Sequence, residues 1–383
     1  MPTDFQALGH CDDRFHAVRE IFEAAFVSGA EIGAGVCVVQ DGERVVDLWG
    51  GSMDAEHSRD WQSDTLANVF STTKGMTALC AHRLVDEGRL DLDETVAHYW
   101  PEFAQKDKGQ ITVRQLISHQ AGLPAVRKAL PQEAFFDWDL MVEALAEEKP
   151  WWTPGTKHGY HAVTFGWLVG EIVRRITGRS LGSYFATEFA EPLGADFMIG
   201  FGPEFDERVA PLIAGPVQIE AGADSLFGEV LANPEGMTAR AFNNPQLLGT
   251  EIHNSRPWRA AEIPAANGHA SAAGIATIYG ELARGRLLSA DVLEDARSCQ
   301  AEGMDAILAM TTKIACGFML SPDSEACGPN PKAFNHAGAG GSLGYCDPEA
   351  GIGLGYVMNN MHTGAWLVDP RARRLVDAVY ASL

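Results

Sequence analysis

At 383 residues, with 46% hydrophobic and 21% charged residues, the chain can bury a large ordered core in one elaborate domain or two. A formal net charge of −22, from 51 acidic and 29 basic residues, repels phosphate backbones and anionic membranes, which excludes nucleic acid as a partner. Seven cysteines with no CxxC pair or metal-finger spacing read as reduced core thiols.

The start, Met1-Pro2-Thr3-Asp4-Phe5, has no basic or apolar leader, and no apolar run nears the roughly 20 residues a bilayer requires. The expectation is a cytoplasmic protein with no membrane partner. Residues 12–27 carry Phe15, Val18, Phe22, Ala25 and Phe26 at helical spacing, and Gly29 can end that helix. Two β-rich runs follow, Ala34 to Val39 and Arg44 to Trp49. The Asp41-Gly42 pair between them predicts an antiparallel hairpin. The stretch from Asn68 to Met76 then opens a helix that runs to Gly88, with Met76, Leu79, Cys80 and Leu84 on one side.

Residues 89–270 are mostly helical, broken by Pro and Gly rather than by strand signals. Thr112 to Ser118 and Asp137 to Glu148 are helices. A stiff loop from Trp151 to Gly155 precedes Tyr160, and Phe165 to Ile176 keeps helical spacing up to Gly178. Residues 200–262 give no assignable pattern beyond a suspected pocket wall. Strand-like runs return at Ile314 to Leu320, Ala333 to His336, Gly344 to Cys346 and Ile352 to Met358. Asp369 and Pro370 then start a last helix as N-cap and N1.

Ser71 stands three residues before Lys74. Residues at i and i+3 share a helix face, so the hydroxyl and the amine can meet, as an activated nucleophile requires. At a helix mouth unpaired N–H groups can steady an oxyanion, and the positive end of the dipole disfavours a charged lysine. The same four residues also fit an ordinary helix start, with Ser71 a plain N-cap and Lys74 solvated.

Three motifs in order carry a resemblance: Ser71-Thr72-Thr73-Lys74, then Tyr160-His161-Ala162 behind Pro154-Gly155, then His336-Ala337-Gly338. Over nearly the whole chain the sequence resembles the serine β-lactamase and penicillin-binding-protein superfamily. The family VIII carboxylesterases, which share the class C β-lactamase fold, are the nearest match. The resemblance implies an α+β fold. An antiparallel sheet with N- and C-terminal helices comes from residues 1–66 and 271–383, and a mostly helical subdomain from 67–270. It also implies Ser71, Lys74 and Tyr160 as catalytic residues, the phenol meeting both others and relaying a proton to the leaving alkoxide. Lys74 and Tyr160 both stay open as the acylation base. Read without the resemblance, a tyrosine between Gly159 and an apolar helix is more often a packed ring with a satisfied hydroxyl.

Two departures bear on substrate. Ala162 stands where the family often has an asparagine, and His336-Ala337-Gly338 replaces Lys-Thr-Gly, exchanging a permanent cation for a residue titrating near pH 6.5. Both remove groups expected to hold a β-lactam, which favours neutral esters. The backbone N–H groups of Ser71 and Ala339 are the candidate oxyanion hole. His336, Gly338, Asn267 and Trp152 are candidate substrate contacts, with backbone pairing as the other reading of His336 and simple packing as that of Trp152. His158 and His161 could be imagined as a metal pair, but no third ligand has recognisable spacing, so loop contacts are expected and no metal or cofactor. Gly340-Gly341-Ser342-Leu343-Gly344 fits G-x-S-x-G, yet no helix pattern follows it as a nucleophile elbow needs. The expected function is hydrolysis of small to medium-chain carboxylic esters through an acyl-enzyme. The alternatives are acyl transfer, weak β-lactam or peptide hydrolysis, and a non-catalytic scaffold. Oligomeric state stays open.

Overall fold

The structure, a computed structural model, describes residues 5–217, 226–248, 250–363 and 367–383. The N-terminal reading at residues 1–4, and residues 218–225 and 249 of the unassigned 200–262 stretch, lie outside them.

The first elements are a short strand β1 (Leu8–Cys11), helix α1 (His16–Val27), and strands β2 (Gly33–Gln40) and β3 (Glu43–Gly51). β2 and β3 pair in the expected hairpin, with Gln40 opposite Glu43 and Val36 opposite Leu48. Asp41 and Gly42 both take positive φ, 51° and 91°, the backbone sense that matches strand twist in a two-residue turn. Helix α2 (Thr73–Asp86) follows, then α3 (Thr164–Thr177) and α4 (Ala272–Ala283). The late strands are β4 (Ala301–Met304), β5 (Thr311–Ile314), β6 (Met319–Leu320), β7 (Phe334–Ala337), β8 (Leu343–Asp347) and β9 (Ile352–Met358), before helix α5 (Pro370–Ala381).

All nine strands form one antiparallel sheet, ordered β1-β3-β2-β9-β8-β7-β6-β5-β4. The two ends of the chain meet where β2 pairs with β9. Side-chain alternation puts helices on both faces. Gly344 of β8 lies against the Tyr279 ring of α4, while the next residue, Tyr345, hydrogen-bonds Tyr380 of α5 across 2.8 Å. The β-lactamase-like α+β fold is therefore as expected.

Several boundaries differ from expectation. The Ile314 to Leu320 run is two strands, not one, because Gly317 at φ 81° turns the chain between them. Helix α2 has no exposed face to pattern: from Thr73 to His82 every residue is buried. The mostly helical middle also contains a four-stranded sheet made of Leu66–Asn68, Phe197–Met198, Val209–Ala210 and His269–Ala270. Strands of two or three residues are too short for alternation to show in sequence. No helix among the described residues is long and apolar enough to cross a membrane.

Candidate active site

Ser71 lies in the turn that enters α2, not within it. Lys74 N–H donates to the Ser71 carbonyl across 2.9 Å, an i to i+3 bond that tightens the entry. The turn is braced from three sides. Val69 N–H donates to Gly268 O (2.8 Å), Gly268 N–H to Thr73 Oγ1 (2.8 Å), and Ser342 Oγ to Val69 O (2.8 Å). Phe70, just before Ser71, takes φ 40°, a region costly for a bulky side chain that persists only where neighbours impose it.

Lys74 is fully buried. Its Nζ lies 3.0 Å from Ser71 Oγ, 2.7 Å from Ala162 O and 2.9 Å from Ala265 O. Burial, with no carboxylate beside it, pushes its pKa well below the ordinary lysine value. A neutral amine has two N–H donors and one lone pair. In that form the two carbonyls would take the donors and the lone pair would be left for the serine hydroxyl.

Tyr160 joins this pair: Lys74 Nζ sits 4.7 Å from its ring centre, and its phenol is near enough to Ser71 for that hydroxyl to act on its pKa. Burial pushes the phenol's pKa up, the Ser71 hydroxyl opposes that, and the Asp305 charge adds to it. The phenol is therefore protonated at neutral pH.

Histidines hold the Tyr160 loop. His161 Nε2 accepts from Leu123 N–H (3.0 Å), so its proton is on Nδ1, which donates to Gly159 O (2.7 Å). His119 Nδ1 accepts from His161 N–H (3.1 Å), and the His119 ring lies 5.0 Å from that of Tyr160. His158 pairs with Thr312 Oγ1 (2.9 Å). His158 and His161 are thus loop contacts, and no cluster of possible metal ligands occurs among the described residues.

His336 faces Tyr160 with ring centres 6.3 Å apart, and its Nδ1 meets Ala337 O at 3.0 Å. Burial, then the neighbouring Lys74, lowers its pKa to about 3. That lies below the expected 6.5, so the ring is neutral near pH 7. Gly338 lies against the Ser71 turn, where a Cβ would sit 2.1 Å from Val69 O. That close approach brings exposed Ala339 alongside. A cavity of about 20 Å³ opens beside Tyr160 and His336, walled by Leu308, Met319, Pro322 and Val368.

Two expected substrate contacts stay outside the cluster. Asn267 is fully buried, donating to Trp258 O (2.8 Å) and Ala261 O (2.6 Å) and accepting from Ile263 N–H (2.9 Å), so its side chain braces its own loop. Trp152 packs behind the loop, against Gly159 and edge-on to His161. Ser342 is 1% exposed and bonded to Val69 and Thr72, which fits a brace and not a nucleophile. Sequence reasoning missed Asp305, which accepts the Tyr160 N–H. A single aspartate between two short strands carries no motif that could have marked it.

The fold and this cluster define a class, the serine-based β-lactamase type. The chain belongs to the beta-lactamase family, which matches residues 18–378. It is 35% identical over 366 residues to the esterase/beta-lactamase LipL of Mycobacterium tuberculosis, covering 93% of this chain and 83% of that protein. A crystal structure of a family VIII carboxylesterase is similar with 41% identity and a TM-score of 0.90, covering 99% of this chain and 100% of the other. A penicillin-binding-protein homologue from Caulobacter crescentus has 39% identity and a TM-score of 0.89, with the same coverage.

Proposed function

We propose that this protein is a serine carboxylesterase. Ser71 Oγ attacks the ester carbonyl while Lys74, as the neutral amine, takes its proton. The Tyr160 phenol then passes a proton to the departing alkoxide, and water cleaves the acyl-enzyme on Ser71. The observation that carries this reading is the triple contact of the buried Lys74 Nζ, which lies within hydrogen-bond distance of two carbonyls and of Ser71 Oγ with no carboxylate beside it. It favours Lys74 over Tyr160 as the acylation base, since burial lowers the amine's pKa and raises the phenol's.

The oxyanion would sit between the N–H groups of Ser71 and Ala339, which have no backbone acceptor among the described residues. A neutral His336 offers no fixed cation for a substrate carboxylate, which supports neutral esters over β-lactams. The tight cavity beside Tyr160 supports small groups there. Acyl transfer or weak β-lactam hydrolysis would use the same acyl-enzyme, and the names of the similar proteins span both ester and lactam chemistry. The reading also assigns the protein to the cytoplasm, with no metal or cofactor, and 67–270 as a helical subdomain beside 1–66 and 271–383.

Intact-mass labelling with a fluorophosphonate tests the nucleophile: wild type should gain one adduct and Ser71→Ala none. A panel of ester chain lengths beside nitrocefin then tests substrate class. Nitrocefin turnover equal to that of a nitrophenyl butyrate would move the assignment to a lactamase.

A further inference from the structure

We propose that Asp305 is a positioning residue for Tyr160, one buried carboxylate holding both the tyrosine loop and the adjoining pocket wall. This rests on the role given to Tyr160 above. Asp305 is 1% exposed, and no described cation lies within ion-pairing distance of it. Its acceptor capacity is spent instead on N–H groups from two segments far apart in sequence. Oδ1 accepts from Tyr160 N–H at 3.0 Å, Ile307 N–H at 2.8 Å and Leu308 N–H at 2.9 Å. Oδ2 lies 3.1 Å from the same Tyr160 nitrogen and 3.4 Å from Thr312 Oγ1, which in turn meets His158 Nε2 at 2.9 Å. His158 O accepts from Ala306 N–H at 3.1 Å, closing the junction from the other side.

Buried carboxylates persist where hydrogen bonds to the charged form replace their lost hydration. Here those hydrogen bonds fix the backbone from which the phenol projects. Leu308, bonded to the same oxygen as Tyr160, walls the cavity next to the phenol. The carboxylate thus sets the spacing between a proton donor and the group it must protonate. Burial is the main reason the phenol keeps its proton, and the Asp305 charge adds to it.

The test is Asp305→Asn, which keeps the side chain's size but turns one acceptor into a donor and removes the charge. Alkyl esters need a proton on the leaving oxygen, whereas nitrophenyl esters leave without one. The variant should lose about tenfold or more in kcat on an alkyl ester and less than about threefold on a nitrophenyl ester, with KM little changed. Tyr160→Phe should show the same pattern, and the double variant should be no worse than Tyr160→Phe alone. Amide hydrogen exchange should quicken around residues 158–162 and 306–309 and nowhere else. Equal losses on both esters, additive losses in the double variant, or unchanged exchange at Tyr160 would overturn the proposal. If Asp305→Asn does not fold, Asp305→Glu, which keeps the charge and displaces the oxygens, is read by the same criteria. If wild type takes no fluorophosphonate on Ser71, the esterase reading falls, and the exchange rates alone then decide the positioning claim.

Discussion

At the scale of single residues the site turns on one buried amine. A lysine sealed from water with two carbonyls and a hydroxyl around it has nothing anionic to hold an ammonium, and burial lowers its pKa. A base must be deprotonated to act, so activity should rise with pH as Lys74 loses its proton, at a pH below the ordinary lysine range. His336, at about 3, is neutral near pH 7 and cannot supply a limb there. A pH–rate profile of His336→Gln should therefore keep the acid limb of wild type where it is. A limb near pH 6.5 that vanished in the variant would return control to the imidazole. Lys74→Met keeps the stem and removes the base, and should lower kcat by about 100- to 10,000-fold with ester kinetics as the readout.

At the scale of elements, the site depends on how closely the end of β7 approaches the Ser71 turn. A Cβ on Gly338 would sit 2.1 Å from Val69 O and 2.3 Å from Ser342 Oγ, and the first is backbone that cannot rotate away. Gly338→Ala should push strand and turn apart and move the Ala339 N–H from its proposed place. The expected loss in kcat is roughly 100-fold or more, measured beside a melting curve. Ser342→Ala only removes a brace, so it should cost about 1 to 3 kcal/mol in denaturant unfolding and leave most activity. What the sequence discloses at this scale follows from local chemistry. The Asp41-Gly42 hairpin, the helix from Thr112 and the Asp369-Pro370 helix start were legible because the residues that form them are neighbours. The spacing of Ser71 and Lys74 was legible for the same reason. Asp305, 145 positions from Tyr160, and Gly338, pressed on Val69, act across the fold, and no local signal marks such contacts. The wrong side of that divide also held Asn267, whose loop lies beside Phe70 while its amide turns inward.

At the scale of the whole molecule, the chain's two ends lock together through a buried charge cluster. Glu31, between α1 and β2, meets Arg371 of α5 at 3.1 Å and accepts a hydrogen bond from Tyr356 of β9; Arg371 also binds Asp369 at 3.0 Å. Glu31, Tyr356 and Arg371 edge a cavity of about 280 Å³ between α1 and α5, and Glu31 Oε2 has no hydrogen-bond partner among the described residues. Burial outweighs the arginine and raises the Glu31 pKa from 4.5 to about 7. The folded state therefore holds this proton more tightly than the unfolded chain. Its stabilising share is complete below 4.5 and is lost as pH rises through about 7, an effect of at most about 3 kcal/mol. Buried histidines such as His82 and His269, with lowered pKa values, act in the opposite sense and lose their share as pH falls below 6.5. Total stability mixes the two, but the difference between wild type and Glu31→Gln isolates the carboxyl. Urea unfolding at about pH 5 and about pH 8 should show the glutamine variant gaining on wild type at the higher pH. If wild type gained instead, Glu31 would be a true anion of the Arg371 pair, and the closure between the chain's ends would be ionic rather than protonated.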